Sequence, residues 1–291
     1  MNSLVLFFYT ESPLHAGTGS SVSTVDLPIQ RERATQFPIV QGSGVKGALR
    51  SQATDTNEVN TVFGPETNNA ADHAGAISVG EARIALFPVR SLVGIFAYVT
   101  SPLALSRLGR SLQAVGAQGL PDFTFGALEE DKALRSGKAV DANGHVVLEE
   151  FAFAAKEDAK LTKVAQWLAQ NAFPAGDAYS YWHEKVQSSL VLLPDNAFRD
   201  FVQNSTEIAT HVKLEVETKT VAHGALWTTE SLPADSLLFS HIVARKPRGS
   251  SNRLKTSSDV SNWLTTSVPS GIQLGGDETT GQGMVALRWV K

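Results

Sequence analysis

The sequence predicts an α+β fold on a ferredoxin-like βαββαβ core, and three observations predict it. Runs rich in β-branched and aromatic residues at 4–10, 76–87, 91–100, 237–244 and 284–290 read as strands. Helical starts fall after the first of these and between the last two. The strands and helices alternate without the even spacing of a doubly wound parallel sheet. Strand, helix, strand, strand, helix, strand is the ferredoxin-like order.

Leu4 to Tyr9 is continuously apolar and reads as a buried strand that continues to Thr10. A polar stretch from His15 to Gln36 follows, with Gly17, Gly19, Ser20, Ser21 and Ser23 and no helical period. A loop of that length in a compact domain is usually functional or disordered. Phe37 to Val40 is short and extended. In Gly42-Ser43-Gly44-Val45-Lys46-Gly47 the second half starts a helix that fades by Thr54. Asp55 to Gly75 reads as a loop, and the next two strands as a hairpin divided at Pro88. Pro102 opens a helix through Leu105, Leu108, Leu112 and Val115, and Gly116 stops it. Residues 121–144 are turn-rich, and Val146 to Phe153 looks strand-like. The clearest helix runs from Lys156 to Phe173, with Leu161, Val164, Ala165, Leu168 and Ala172 on one face.

Asn196 to Gln203 predicts a short helix. Val212, Leu214 and Val216 alternate with Lys213, Glu215 and Glu217, as in a half-exposed strand. The chain turns over 218–224, and Ala225 to Glu230 returns as its partner, giving a hairpin that projects. Asp259 to Leu264 predicts a helix, and Ile272 to Leu274 and Met284 to Val290 are strands around a glycine-rich turn. The insertions into the core fall at roughly 101–190 and 200–235.

The 291 residues are 42% hydrophobic and 19% charged, enough apolar material for a sizeable core. No cysteine is present, which removes disulfides, Cys-ligated zinc, iron–sulfur clusters and thiol nucleophiles. The Leu4–Tyr9 run is too short to span a membrane and lacks a basic flank, so no membrane partner and a cytoplasmic location are expected. The net charge of -4 counts against a simple nucleic-acid binder, but its arrangement weakens that objection. Arg245, Lys246, Arg248, Arg253 and Lys255 lie in one window without an acid, and Arg31, Arg33, Lys46 and Arg50 form a second cluster. Phosphate contacts act within about 8–10 Å, so a local basic groove on an acidic body suffices.

Four segments can carry chemistry. Gly42-x-Gly44-x-x-Gly47 matches the dinucleotide fingerprint, but a polar loop at 54–69 stands where its second strand and acid belong. A turn capping a helix is the plain reading. The preferred one is anion binding by helix N-terminal amides with Lys46. The loop holding His15 and Asp26 lacks close metal-ligand spacing, and a lone Asp is most often a cap or turn residue; here it lies near Arg31 and Arg33. Gly275 to Gly283, with Gly276, Gly281, Asp277 and Glu278, reads as a hairpin loop or a close backbone approach to a ligand, without EF-hand spacing. The basic run 245–255 reads as a solvated loop or a phosphate-binding one. P-loop, HExxH and GxSxG motifs are absent.

Pro13-Leu14-His15-Ala16-Gly17-Thr18-Gly19, Asp26-Leu27-Pro28-Ile29-Gln30-Arg31, Gly42 to Arg50 and the glycine loop 275–283, in that order, resemble the RAMP superfamily of CRISPR proteins. The stretch Leu214 to Pro233, with Ala225-Leu226-Trp227 and Glu230-x-Leu232-Pro233, resembles the backbone subunit of type III-B (Cmr) effector complexes. The resemblance implies one RAMP domain: an RRM-like, ferredoxin-like palm (roughly 1–100 and 236–291), a helical insertion (roughly 101–190) and a β-hairpin thumb (roughly 200–235). It implies copies stacked along a CRISPR guide RNA with other Cmr-type subunits, and target RNA cut at regular intervals beside nucleotides displaced by each thumb. The implied catalytic acid is Asp26, with His15 supporting and Glu230 near the scissile site. The implied RNA contacts are Arg31, Gly42, Ser43, Gly44, Lys46, Arg50, Arg245, Lys246, Arg248, Gly276, Gly281 and Gly283. The implied cofactor is a divalent metal, Mg²⁺, with Asp26 as a candidate ligand. Relatives often carry aromatic and acidic residues where this chain has Thr228, Thr229 and Ser231, which leaves Glu230 as the acid of that segment. Two other readings stay open: a non-catalytic guide-binding scaffold of a type III complex, and a nuclease that processes CRISPR precursor RNA.

Overall fold

The structure, a computed structural model, describes all of the chain except residues 22–23, 70, 216, 218–220, 249–250 and 252. The first strand, β1 (Asn2–Thr10), is followed by the long loop, β2 (Ile39–Val40) and helix α1 (Gly42–Ser51). A short helix α2 (Val59–Phe63) leads to β3 (Ile77–Val79), β4 (Ala82–Arg90) and β5 (Phe96–Thr100). Helix α3 (Pro102–Ala114), strands β6 (Lys132–Arg135), β7 (His145–Leu148) and β8 (Phe151–Glu157), helices α4 (Ala159–Asn171) and α5 (Ser180–Ser189), β9 (Leu190–Leu192) and α6 (Asp195–Asn204) come next. The hairpin β10 (Glu207–Leu214) and β11 (Val221–Ser231) then leads to β12 (Leu237–Ala244), α7 (Ser257–Ser267), β13 (Gly271–Gln273) and β14 (Met284–Val290).

The fold is mixed α and β. Twelve strands form one sheet in the order β13-β14-β1-β12-β4-β5-β9-β6-β8-β7, with β2 on β4 and β3 on β12, and β10-β11 stands apart as a two-stranded sheet. Strands β14, β1, β12 and β4 are consecutive neighbours, each antiparallel to the next.

The apolar run in β1 is continuous because both faces of the strand are covered. Leu4, Leu6 and Phe8 pack with Val45 and Leu49 of α1 and Val260 and Leu264 of α7. Val5, Phe7 and Tyr9 pack with Leu105, Leu108 and Leu112 of α3 and Leu161, Val164 and Leu168 of α4. Truncating a fully buried aromatic such as Phe7 costs about 3–5 kcal/mol in a core of this kind. Among the described residues no helix is long and apolar enough to cross a membrane.

Several expectations need correction. Helix α1 starts at Gly42, so the whole glycine motif is helical. A Cβ on Gly42 would lie 2.5 Å from the Val79 carbonyl, so this glycine permits close approach of the helix start to the β3–β4 turn. The expected loop 55–75 holds α2 and flanking 3₁₀ turns. Pro88 does not divide the hairpin: β4 runs through it opposite Tyr98. Partner strand β12 reaches only Leu86 on that side, so no ladder bond is lost at a residue without an N–H. The turn is at 91–95, with Gly94 and Ile95 at positive φ. The single strand expected at 146–153 is the β7–β8 hairpin, turned at Glu149 with φ 49°. The stretch 101–190, expected as helical, also contributes β6, β7 and β8 to the sheet. Helix α7 begins before Asp259 because Thr256 and Asp259 form a capping box. The strand position Val216, part of the expected turn at 218–224, and Ser23, Gly249 and Ser250 lie outside the described residues.

Candidate RNA-cleavage site

Three separate segments meet at the foot of the β10–β11 hairpin. The loop after β1 folds back on itself through a bridge between Gly17 and Ile29. Its two arms attach to β11: Leu14 bridges Leu232, and Leu27 bridges Thr229 in parallel. The Leu27 amide donates to the Thr228 carbonyl, and the Glu230 amide to the Leu27 carbonyl, both at 3.0 Å. The glycine loop closes the third side. The Gly276 amide donates to the His15 carbonyl at 2.9 Å, and the Gly283 amide to the Pro13 carbonyl at 2.8 Å.

Asp26 is exposed at the edge of β11. Its Oδ2 accepts from the Thr228 amide at 2.8 Å and the Thr228 hydroxyl at 2.9 Å. The Asp26 amide lies 3.0 Å from the same hydroxyl oxygen. These bonds, the Thr228 amide first, hold its carboxyl below the usual aspartate value. Oδ1 takes neither of the Thr228 bonds.

His15 is half-buried and oriented by backbone. Its Nδ1 lies 2.6 Å from the Glu230 carbonyl. A carbonyl only accepts, so Nδ1 carries a proton and donates it, which fixes the ring's orientation. The glycines explain this seat: a Cβ on Gly17 would lie 2.5 Å from His15 Nε2, and one on Gly275 2.5 Å from the His15 carbonyl. His15 and Asp26 thus dock on positions two residues apart along one strand, roughly 7 Å of rise.

Glu230 is 6% exposed, and its carboxylate is fully engaged. Oε1 accepts from Arg31 Nη2 at 2.5 Å and the Thr206 hydroxyl at 2.9 Å, and Oε2 from the Ile29 amide at 3.0 Å. Arg31 also donates to the carbonyls of Gln36 and Val202. Both groups therefore point inward. Glu230 ties the loop to β11, and Arg31 is engaged by protein oxygens.

Of the second basic cluster, Lys46 and Arg50 lie on α1. Ser43, Lys46, Gly47, Arg50, Phe63, Pro65, Glu66 and Asn68 line a cleft of about 610 Å³. Lys46 makes no hydrogen bond or ion pair among the described residues, and burial, then the nearby Arg50 charge, lowers its pKa. Arg50 is held at the edge by the Gly64 carbonyl and Asn60 Oδ1, at 2.5 and 2.7 Å. Gln30 ties this helix to the loop: its side chain accepts from the Gln41 amide and donates to the Gly17 carbonyl. In the basic run, Arg245 bonds Ser78 and Arg253 pairs with Asp55, while Lys246 and Arg248 are exposed. Gly281 is at positive φ with open space around it, so it is a turn residue.

Among the described residues no three His, Asp or Glu side chains come together as a metal cage. Asp26 offers one carboxylate, so these residues do not by themselves fit a resident divalent ion.

A family model for the RAMP superfamily matches residues 7–285. The CRISPR system Cmr endoribonuclease Cmr4 of Pyrococcus furiosus is 38% identical over 99% of this chain and 95% of its own length. The CRISPR system CMR subunit Cmr4 of Saccharolobus solfataricus is 26% identical over 98% of this chain and 95% of its own. The crystal structure of oligomeric Cmr4 from Pyrococcus furiosus superposes with a TM-score of 0.76 at 33% identity, covering 99% of this chain and 98% of that one. The chain belongs to the RAMP superfamily. Its recognised relatives are Cmr4 proteins, and that is the branch of the superfamily in which it falls.

Proposed function

We propose that this chain is the guide-RNA-binding backbone subunit of a type III-B CRISPR effector complex and the endoribonuclease that cuts guide-complementary target RNA. The observation that carries the reading is the docking of Asp26 on Thr228 at the foot of the projecting hairpin. One acid fixed to one hairpin per copy gives one cut per copy in a stack. The order β14-β1-β12-β4, antiparallel throughout, with α1 after its first strand and α7 before its last, supports a ferredoxin-like palm. The separate β10–β11 sheet supports the thumb. The α1 cleft with Lys46 supports a guide-phosphate seat, and Lys46, Ser43, Gly44, Lys246 and Arg248 are the contacts we assign to RNA.

In this reading the thumb displaces one target nucleotide, and the freed backbone rotates its 2′-hydroxyl into line with the phosphorus. Alignment of that kind is worth about 7–11 kcal/mol in well-oriented systems. The 2′-oxygen attacks phosphorus, the bond to the 5′-oxygen breaks, and a 2′,3′-cyclic phosphate and a 5′-hydroxyl result. Asp26, held ionised by Thr228, is a weak base and acts by orienting the hydroxyl through Oδ1 and by its charge. In this reading a neutral His15 takes the 2′-hydroxyl proton at Nε2, and the leaving 5′-oxygen takes a proton from water. Any divalent ion would arrive with the RNA phosphates, the usual manner for Mg²⁺.

Reconstituting the complex with guide RNA and a matched labelled target tests the reading. It predicts a ladder of regularly spaced products with cyclic phosphate ends, lost on chelation. A single cut, or 3′-hydroxyl ends, would overturn it.

A further inference from the structure

We propose that Thr228 is the positioning residue that fastens the Asp26 carboxylate to the β10–β11 hairpin, so that the hairpin, and not the loop alone, sets where the acid stands. The inference rests on the functional reading above and adds a residue to it. The carboxylate's strongest bonds are to the Thr228 amide and hydroxyl, across from its own loop. The contact is reciprocal, because the same hydroxyl oxygen faces the Asp26 amide. The Leu27 bridge to Thr229 holds the next residue of the loop to the next residue of the strand. Thr228 is paired with Thr210 in the β10–β11 ladder near the hairpin's foot, so its position follows the hairpin. A displacement of the strand by RNA therefore carries the carboxylate with it.

The chemistry of the contact makes it separable. The Thr228 hydroxyl can be removed without changing side-chain shape by Thr228→Val, leaving the backbone amide bond to Asp26 in place. Thr228→Ser keeps the hydroxyl and loses the methyl. The titratable groups described near the hairpin foot include His15, the Glu230–Arg31 pair and Glu207 opposite Ser231, and none of these substitutions replaces them.

The test compares wild type, Thr228→Val and Thr228→Ser in the assembled complex on guide-complementary RNA under single-turnover conditions. The expected result is a fall of about 10- to 100-fold in cleavage at every rung for Thr228→Val, the cost of a small misplacement of a reacting group. Rung spacing and target affinity stay unchanged, and Thr228→Ser restores the rate to within about threefold. Wild-type cutting by Thr228→Val overturns the coupling, as does a defect that Thr228→Ser shares equally. Titration of a carboxyl-labelled Asp26 by NMR reads the contact without cutting: its midpoint rises in Thr228→Val and stays low in Thr228→Ser. An unmoved midpoint overturns the coupling. A wild-type complex that makes no ladder removes the functional reading, and the titration still decides the coupling. If Thr228→Val fails to fold, Thr228→Ala serves as the hydroxyl-free variant.

Discussion

The carboxylate of Glu230 and the guanidinium of Arg31 form an ion pair at 2.5 Å beneath the hairpin, with side chains 7% and 15% exposed. The pair joins the first loop to β11, and Thr206 and the Ile29 amide complete the shell of the carboxylate. Removing one partner leaves the other charged and buried. Glu230→Ala is expected to destabilise the protein by about 3–5 kcal/mol, read by denaturant unfolding. A variant as stable as wild type would contradict a structural role for the pair.

Asp26 gives a pH prediction. Hydrogen bonds from Thr228 favour the ionised carboxyl, so the folded value lies below the ordinary one. The ionised form is complete above the unfolded aspartate value and is lost only as pH falls through the lowered folded value. The Asp26 carboxyl should therefore stay ionised to more acidic pH than an unperturbed aspartate. An NMR titration of labelled Asp26 with a midpoint at or above the ordinary aspartate value would contradict this.

Gly283 has φ 76°, and a Cβ there would sit 2.1 Å from the Leu274 carbonyl. Gly283→Ala should shift the loop that holds the His15 carbonyl through Gly276. The expected cost is about 1–3 kcal/mol in stability, with weakened cleavage and preserved guide binding. Melting curves beside cleavage rates check it.

Lys46 lines its cleft without a hydrogen-bond or ion-pair partner among the described residues, so Lys46→Ala should weaken guide RNA binding evenly across sequences. The slope of log affinity against log salt should fall by about 1. Filter binding at several salt concentrations measures both. Arg50, tied to Asn60 and Gly64, should cost stability as well as binding when replaced.

The strands that carry the core were legible because their patterns are local. Leu237–Ala244 and Met284–Val290 match residue for residue. The helix from Pro102 was readable from its proline start and Gly116 stop, and Gly116 does adopt positive φ. The β7–β8 turn was not, because Glu149-Glu150 carries no glycine or asparagine to announce it. In the site, His15, Asp26 and Glu230 were visible as residue types, but their division of labour was not. Whether an acid faces solvent or an arginine depends on contacts between residues about 200 positions apart. Thr228 was missed for the same reason: it read as the absence of an acid, whereas its hydroxyl holds one.

The most direct measurement is target cleavage by the assembled complex with Asp26→Asn beside wild type. Asparagine keeps the oxygen that Thr228 donates to and removes the charge. The account predicts that the regular ladder disappears in the variant while guide and target binding persist. An unchanged ladder from Asp26→Asn would contradict it and place the cutting group elsewhere.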